Sequence, residues 1–173
     1  VAFPWLNLVA FWIFPVAGVI LFSSFLVGAP DAGWTEYPPI SLMGPQGTNL
    51  WCIAVFLIGI SSTMTGINFL VTIFKMRAPG MTFTRMPLFV WAQFATAPLS
   101  FIATTALGAA LAALFIERVF NVPFYDPKRG GSPVLWQHMF WFYSHPAVYI
   151  MIIPGFGIIS EVLPTFARKP IFG

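Results

Sequence analysis

Long apolar blocks alternate along this chain with short polar segments rich in proline and glycine. The blocks run roughly from Leu6 to Val27, Leu50 to Phe74, Leu88 to Phe115 and Val134 to Leu163. Each reaches the about 20 residues that a helix needs to cross a hydrocarbon core. Lipid offers no partner to a free N–H or C=O, so each block is predicted to be a spanning helix and the fold class to be all-α integral membrane. Pro15, Pro98, Pro146 and Pro154 fall inside the blocks and predict kinks or local loosening. Pro146 lacks a helical donor and its ring crowds the carbonyl of Phe142, which predicts distortion beside His145.

Composition narrows the class. Apolar residues make up 58% of the chain and charged ones only 8%, against a usual charged share of about 25%. A net charge of +3, with no basic patch, excludes a nucleic-acid interface. Cys52 is the one cysteine; it cannot form an internal disulfide and is expected to be packed or lipid-facing. The segment Gly28–Asn49 holds Asp31 and Glu36 and no basic residue. Lys75, Arg77 and Arg85 fall in the next loop, Arg118, Lys128 and Arg129 in the loop from Glu117 to Pro133, and Arg168 and Lys169 in the tail. The positive-inside rule then puts the Lys75–Pro87 loop and both termini on the cytoplasmic side. The chain opens at the brink of one span and ends just past another, so it reads as an internal stretch of a longer protein, one part of a single transmembrane domain.

Several spans carry polar residues. Ser61, Ser62, Thr63, Thr65 and Asn68 cluster in the second, and Gln93, Thr96, Ser100, Thr104 and Thr105 line the third. They read either as interhelical packing and hydrogen bonding or as a water-lined proton route. The fourth span holds the sharpest pattern: Tyr143-Ser144-His145-Pro146-Ala147-Val148-Tyr149. Residues four apart share a helix face, so the His145 imidazole and the Tyr149 phenol should meet there. The pair could be a metal ligand beside a proton and electron donor, or a polar strut with an interfacial anchor. A copper or iron site needs three or four ligands, so the others must come from outside this chain.

The ordered motifs resemble the catalytic subunit I of haem-copper terminal oxidases, the cytochrome c oxidase type, nearly end to end. They include Gly33-Trp-Thr-Glu-Tyr-Pro-Pro39, Gly59-Ile-Ser-Ser62, Gly66-Ile-Asn68, Met76-Arg-Ala-Pro-Gly-Met81, Pro87-Leu-Phe-Val-Trp91, Phe124-Tyr-Asp-Pro127, Gln137-His138, His145-Pro146, Val148-Tyr149 and Pro154-Gly-Phe-Gly-Ile-Ile-Ser160. The resemblance implies four helices of a twelve-helix-type bundle. It implies that the parent reduces O2 to water at a haem and copper B with electrons from cytochrome c, coupled to proton translocation. By position, His145 matches a copper B ligand and Tyr149 the catalytic tyrosine covalently crosslinked to it. Trp34 and Trp141 match the haem side, and Ser160 matches the start of the proton route to the tyrosine. Asn7, Ser61, Ser62 and Asn68 match the second route. Two haems belong to the parent subunit, with their iron ligands outside this chain. The implied partners are subunit II as electron entry, subunit III, cytochrome c, O2 and the lipid bilayer; the implied location is the bacterial cytoplasmic (inner) membrane.

Departures from the family pattern are equally specific. Ala147 stands where a glutamate usually ends the pumping route. Tyr143 and Ser144 instead match a bacterial and archaeal branch with Tyr-Ser before the histidine, whose hydroxyls replace that carboxyl. Trp5 stands where Arg is common and Leu8 where a second Asn is common, so the entrance of that route is altered. The alternatives are a quinol oxidase of the same superfamily and, from another class, a non-redox transporter or channel lined by the Ser/Thr rows.

Overall fold

Backbone self-sufficiency dictates the architecture of the computed structural model, which describes residues 1–172 and contains no strand among them. The helices are α1 (Pro4–Ser23), α2 (Ile40–Met43), α3 (Gly47–Lys75), α4 (Leu88–Phe120) and α5 (Pro133–Ala167). A 3-10 turn, Ser24–Val27, extends α1, and two others lie at Phe83–Arg85 and Pro127–Arg129. All but α2 are long and apolar enough to cross a membrane. Proline opens α1 (Pro4) and α5 (Pro133), where its missing N–H costs nothing. Inside the helices Pro15, Pro98, Pro146 and Pro154 are accommodated without ending them, and so is Pro164.

The expected spans are all present, and their ends differ in instructive ways. The third runs to Phe120 rather than Phe115, because Glu117 and Arg118 are helical and not loop residues. Asn121 then stops the helix in the left-handed region (φ 59°), its N–H donating to the Glu117 carbonyl at 3.0 Å. Lys75 likewise closes α3 rather than opening a loop. The segment expected as one loop from Gly28 to Asn49 contains α2 and the first turn of α3.

Each long helix packs chiefly on its neighbours in sequence, so α1, α3, α4 and α5 form a row in that order. One end of the row carries the segments between α1 and α3 and between α4 and α5. The other carries both termini and the segment between α3 and α4. The core lies toward the first end, where Cys52, Leu107, Leu111, Leu114, Tyr125, Trp136 and Phe140 are buried together. Cys52 is therefore packed, not lipid-facing. The outer faces of α1 and α5 stay apolar and uncovered, with Phe11, Trp12, Phe22, Met151 and Phe156 exposed.

Small residues set the helix separations. A Cβ on Gly66 would stand 3.4 Å from the carbonyl oxygen of Ala97, where α3 crosses α4. One on Gly157 would stand 2.8 Å from the Ala92 Cβ and 2.9 Å from the Phe89 Cα, where α5 crosses α4. Backbone cannot yield as a flexible side chain can. Gly157→Ala is thus expected to push α5 off α4 and to destabilise the assembled protein by about 1–3 kcal/mol. A thermal melt of the purified variant checks this, and an unchanged melting temperature would show that the two helices part freely.

Candidate active site

α5 carries the central pair about 12 residues, or about 18 Å, from its start. The His145 and Tyr149 rings meet edge to face, with centroids 4.9 Å apart and planes at 65°. The i, i+4 spacing does produce the contact. Both residues are exposed in this chain, Tyr149 at 48%. Trp141 precedes His145 by one turn on the same uncovered stripe, and Ser160 lies about three turns past Tyr149 on the same side of the helix. Tyr143 is turned the other way, half-buried against the core, and Ser144 is buried. Ala147 offers no group to hold a proton.

Above this stripe an aromatic cluster positions Trp34. The ring of Trp34 lies 5.5 Å from that of Phe140 and 5.9 Å from that of Trp141. Trp136 is fully buried, stacks on Phe140 at 5.9 Å and donates its indole N–H to the Thr35 carbonyl at 3.0 Å. The Trp141 indole donates to the Tyr37 hydroxyl. Trp34 and Trp141 are therefore together, at the edge of the same face as His145. Trp136 packs inside the core.

The polar residues of the second span divide. Ser61 is buried and donates to the Ala10 carbonyl at 2.7 Å. Asn68 is fully buried; it accepts from the Phe3 N–H at 3.0 Å and donates to the Phe3 carbonyl at 3.2 Å. Thr72 accepts from the Ala2 N–H at 2.9 Å, and Thr63 shares a hydrogen bond with Thr104 at 2.7 Å. These side chains tie α3 to α1 and α4. Asn7 and Ser62 are exposed on uncovered faces. Ser61 and Asn68 therefore sit between helices while Asn7 and Ser62 face outward, so within this chain the four form no continuous line.

Two residues outside those expectations hold the end of the row above the pair. The Glu117 carboxylate accepts from the N–H groups of Phe124, Tyr125 and Asp126 at 3.0, 2.7 and 3.0 Å. Burial, and then the nearby Glu117 charge, push the Tyr125 phenol well above its ordinary range. That phenol donates to the Ala110 carbonyl at 3.1 Å. Arg118 donates to Asn49 Oδ1 at 2.6 Å, to the carbonyls of Gly44 and Pro45 at 2.9 and 2.7 Å, and to that of Ser41. A Glu-Arg pair at the end of an apolar run was the available signal, since charges adjoining a span need partners.

The donor set can be tested against a copper site. Among the described residues no three of His, Cys, Asp and Glu gather. His138 lies seven residues before His145, about 10 Å along the axis, too far to share an ion. This chain therefore brings one imidazole to its open face, with a phenol beside it. That fits one side of a copper site whose other ligands come from elsewhere.

A family model described as Cytochrome C and Quinol oxidase polypeptide I matches residues 1–173. The chain is similar to cytochrome c oxidase subunit 1 of Synechocystis sp., at 55% identity over 99% of this chain and 31% of the relative. It is 51% identical to cytochrome c oxidase subunit 1 of Thermostichus vulcanus, over 99% of this chain and 31% of the relative. Quinol oxidase subunit 1 of Bacillus subtilis is 46% identical, over 100% of this chain and 27% of the relative. The chain thus spans about 30% of the length of the curated relatives it matches.

Asn68 and Ser62 give the contrast that separates a helix tie from a polar lining. Asn68→Ala orphans the Phe3 N–H, while the Phe3 carbonyl keeps the Asn7 N–H at 3.1 Å, and should cost about 1–3 kcal/mol. Ser62→Ala should change stability by less than about 0.5 kcal/mol. Thermal melts of the two variants check this; equal effects would remove the tie from the account.

Proposed function

The chain belongs to the cytochrome c and quinol oxidase polypeptide I family, and from that premise we propose that it is part of a terminal oxidase subunit reducing O2 to water with electrons from cytochrome c. The observation that carries this reading is the edge-to-face contact of His145 and Tyr149 on an uncovered face of α5. Within the parent subunit His145 would hold copper B through one ring nitrogen, alongside ligands from helices beyond this chain. When bound, haem iron and copper B supply the redox electrons that cleaving O2 requires.

The remaining roles belong to the chain's own residues. Tyr149 gives up a proton from its hydroxyl together with an electron from its ring. A covalent link from an imidazole nitrogen to a phenol ring carbon needs the ring edges to meet, and the 4.9 Å edge-to-face approach supports that link once the rings turn their edges together. Ser160, on the same side of α5, stands at the start of the route that returns a proton to Tyr149. The hydroxyls of Tyr143 and Ser144 take the place of the carboxyl missing at Ala147 and serve proton translocation. Asn7, Ser61, Ser62 and Asn68 belong to the parent's second route, with Ser61 and Asn68 also tying helices. Trp34 and Trp141 would line the haem side, Trp34 toward a propionate, while the Trp141 indole N–H stays on the Tyr37 hydroxyl.

The uncovered apolar faces of α1 and α5 support burial against further helices of the parent, against subunits II and III, and against lipid in a bacterial cytoplasmic membrane. Quinol is the competing donor, since a relative of that name is 46% identical; the two cytochrome c oxidase relatives at 55% and 51% favour cytochrome c.

In the full-length complex, Tyr149→Phe should lower oxygen reduction about 100-fold or more while the haem absorption spectrum is retained. Wild-type turnover in that variant would refute the role of the phenol. A purified complex with neither haem absorption nor copper would refute the oxidase reading and leave the transporter.

A further inference from the structure

The buried end of the row contains a cluster of polar groups that the oxygen chemistry does not use. Glu36 is 0% exposed, and neither of its carboxylate oxygens has a hydrogen-bond partner. Two hydroxyls nearby share that condition: Ser41 Oγ and Thr48 Oγ1 are fully buried and unpartnered. Three unpaired groups at one place are costly, since each buried polar atom without a partner loses about 1–3 kcal/mol. Glu36 also holds a left-handed backbone (φ 46°) that side chains rarely adopt, so the carboxyl is kept inward against local preference.

The three groups surround one guanidinium. Arg118 binds the carbonyl of Ser41 and the side chain of Asn49, which adjoins Thr48. Its bonds all go to carbonyl and amide oxygens, so it neutralises Glu36 only at a distance. Gly44 shows how closely these groups gather: a Cβ there would stand 2.9 Å from Thr48 Oγ1, 3.1 Å from Asp31 Oδ1 and 3.5 Å from the Ser41 carbonyl oxygen. The groups are enclosed by this chain itself, so no protein partner reaches them without unfolding the segment. A water molecule can, and buried waters bind where polar atoms lack two to four partners.

We propose that this cluster takes up internal water bridging Glu36, Ser41 and Thr48, and that the Glu36 carboxyl is a proton-binding site exchanging through that water. A neutral carboxyl donates once and accepts at its carbonyl, which satisfies all three groups through a bridging molecule. An ionised one would be a second negative charge beside Asp31, set against a single guanidinium.

The groups facing Glu36 are Asp31 from its own segment, Arg118 from α4 and Cys52 from α3; α5 contributes Trp136, which does not titrate. Burial raises the Glu36 carboxyl from 4.5 to about 7, Arg118 opposes this and Asp31 adds to it. The folded state therefore binds a proton that the unfolded chain has released. The stability from this group is full below about pH 4.5 and is lost as pH rises through about 7.

The test is a pH titration of the membrane-embedded full-length complex by infrared difference spectroscopy. The wild type minus Glu36→Gln difference should contain a carboxylic acid C=O band that vanishes with a midpoint near pH 7, shifts in D2O, and is lost in the variant. Thr48→Val, which keeps Glu36, should move both the midpoint and the band frequency, because the hydroxyl is linked to the carboxyl through water. A midpoint near 4.5 would overturn the proposal. So would a band indifferent to Thr48→Val, or one that depends on sodium against potassium, which would make the cluster a cation site. Should Glu36→Gln not assemble, the Thr48→Val comparison decides alone.

Discussion

Every polar group of the main chain that enters an apolar medium needs a partner supplied from within the protein, and this requirement organises the whole chain. Helices meet it along their length. At their ends and crossings the side chains meet it instead. Asn68 caps the amide and carbonyl of Phe3, Glu117 gathers three amides after α4, and Arg118 gathers three carbonyls before α3. In each case the side chain binds chiefly main chain; the bond from Arg118 to Asn49 Oδ1 is the one to another side chain among them. The charges of Glu117 and Arg118 are thus tolerated at the end of a span because each replaces several separate partners.

This division of labour separates scaffold from site. Groups that hold the row together face between helices and are satisfied: Ser61, Asn68, Thr104, Trp136, Tyr125. Those assigned to chemistry, His145, Tyr149, Trp34 and Trp141, lie on the open side of α5 and its adjoining segment. The face to which the proposed reactivity belongs is the one left unfinished by this part of the chain. An open row also explains why apolar bulk on α1 and α5 remains uncovered without any defect of packing in the core.

Much of this was legible in the residues. The four apolar blocks predict four long helices because hydropathy over 20 residues leaves no other spanning structure. The ring contact of His145 and Tyr149 was legible because helical spacing alone decides it. The ends were harder. Glu117 and Arg118 look like loop residues, and only the amides and carbonyls they bind, residues away in sequence, explain their place in α4. The division of Ser61 and Asn68 from Ser62 and Asn7 depends on helix rotation, which weakly amphipathic spans do not encode. Glu36 was unremarkable in a loop motif until the segment around it was seen to close over its carboxyl. The partners of His145 were never legible here, since a single imidazole implies ligands without locating them.

The hydrogen bond from the Trp136 indole to the Thr35 carbonyl has a mechanical consequence. It joins the segment bearing Trp34 to the same helix that bears His145, nine residues further on. Any tilt or rotation of α5 as a body carries the indole of Trp34 with it. The two therefore keep their mutual distance while the rest of the row shifts, and α5 behaves as a jig holding both ends of one work-piece.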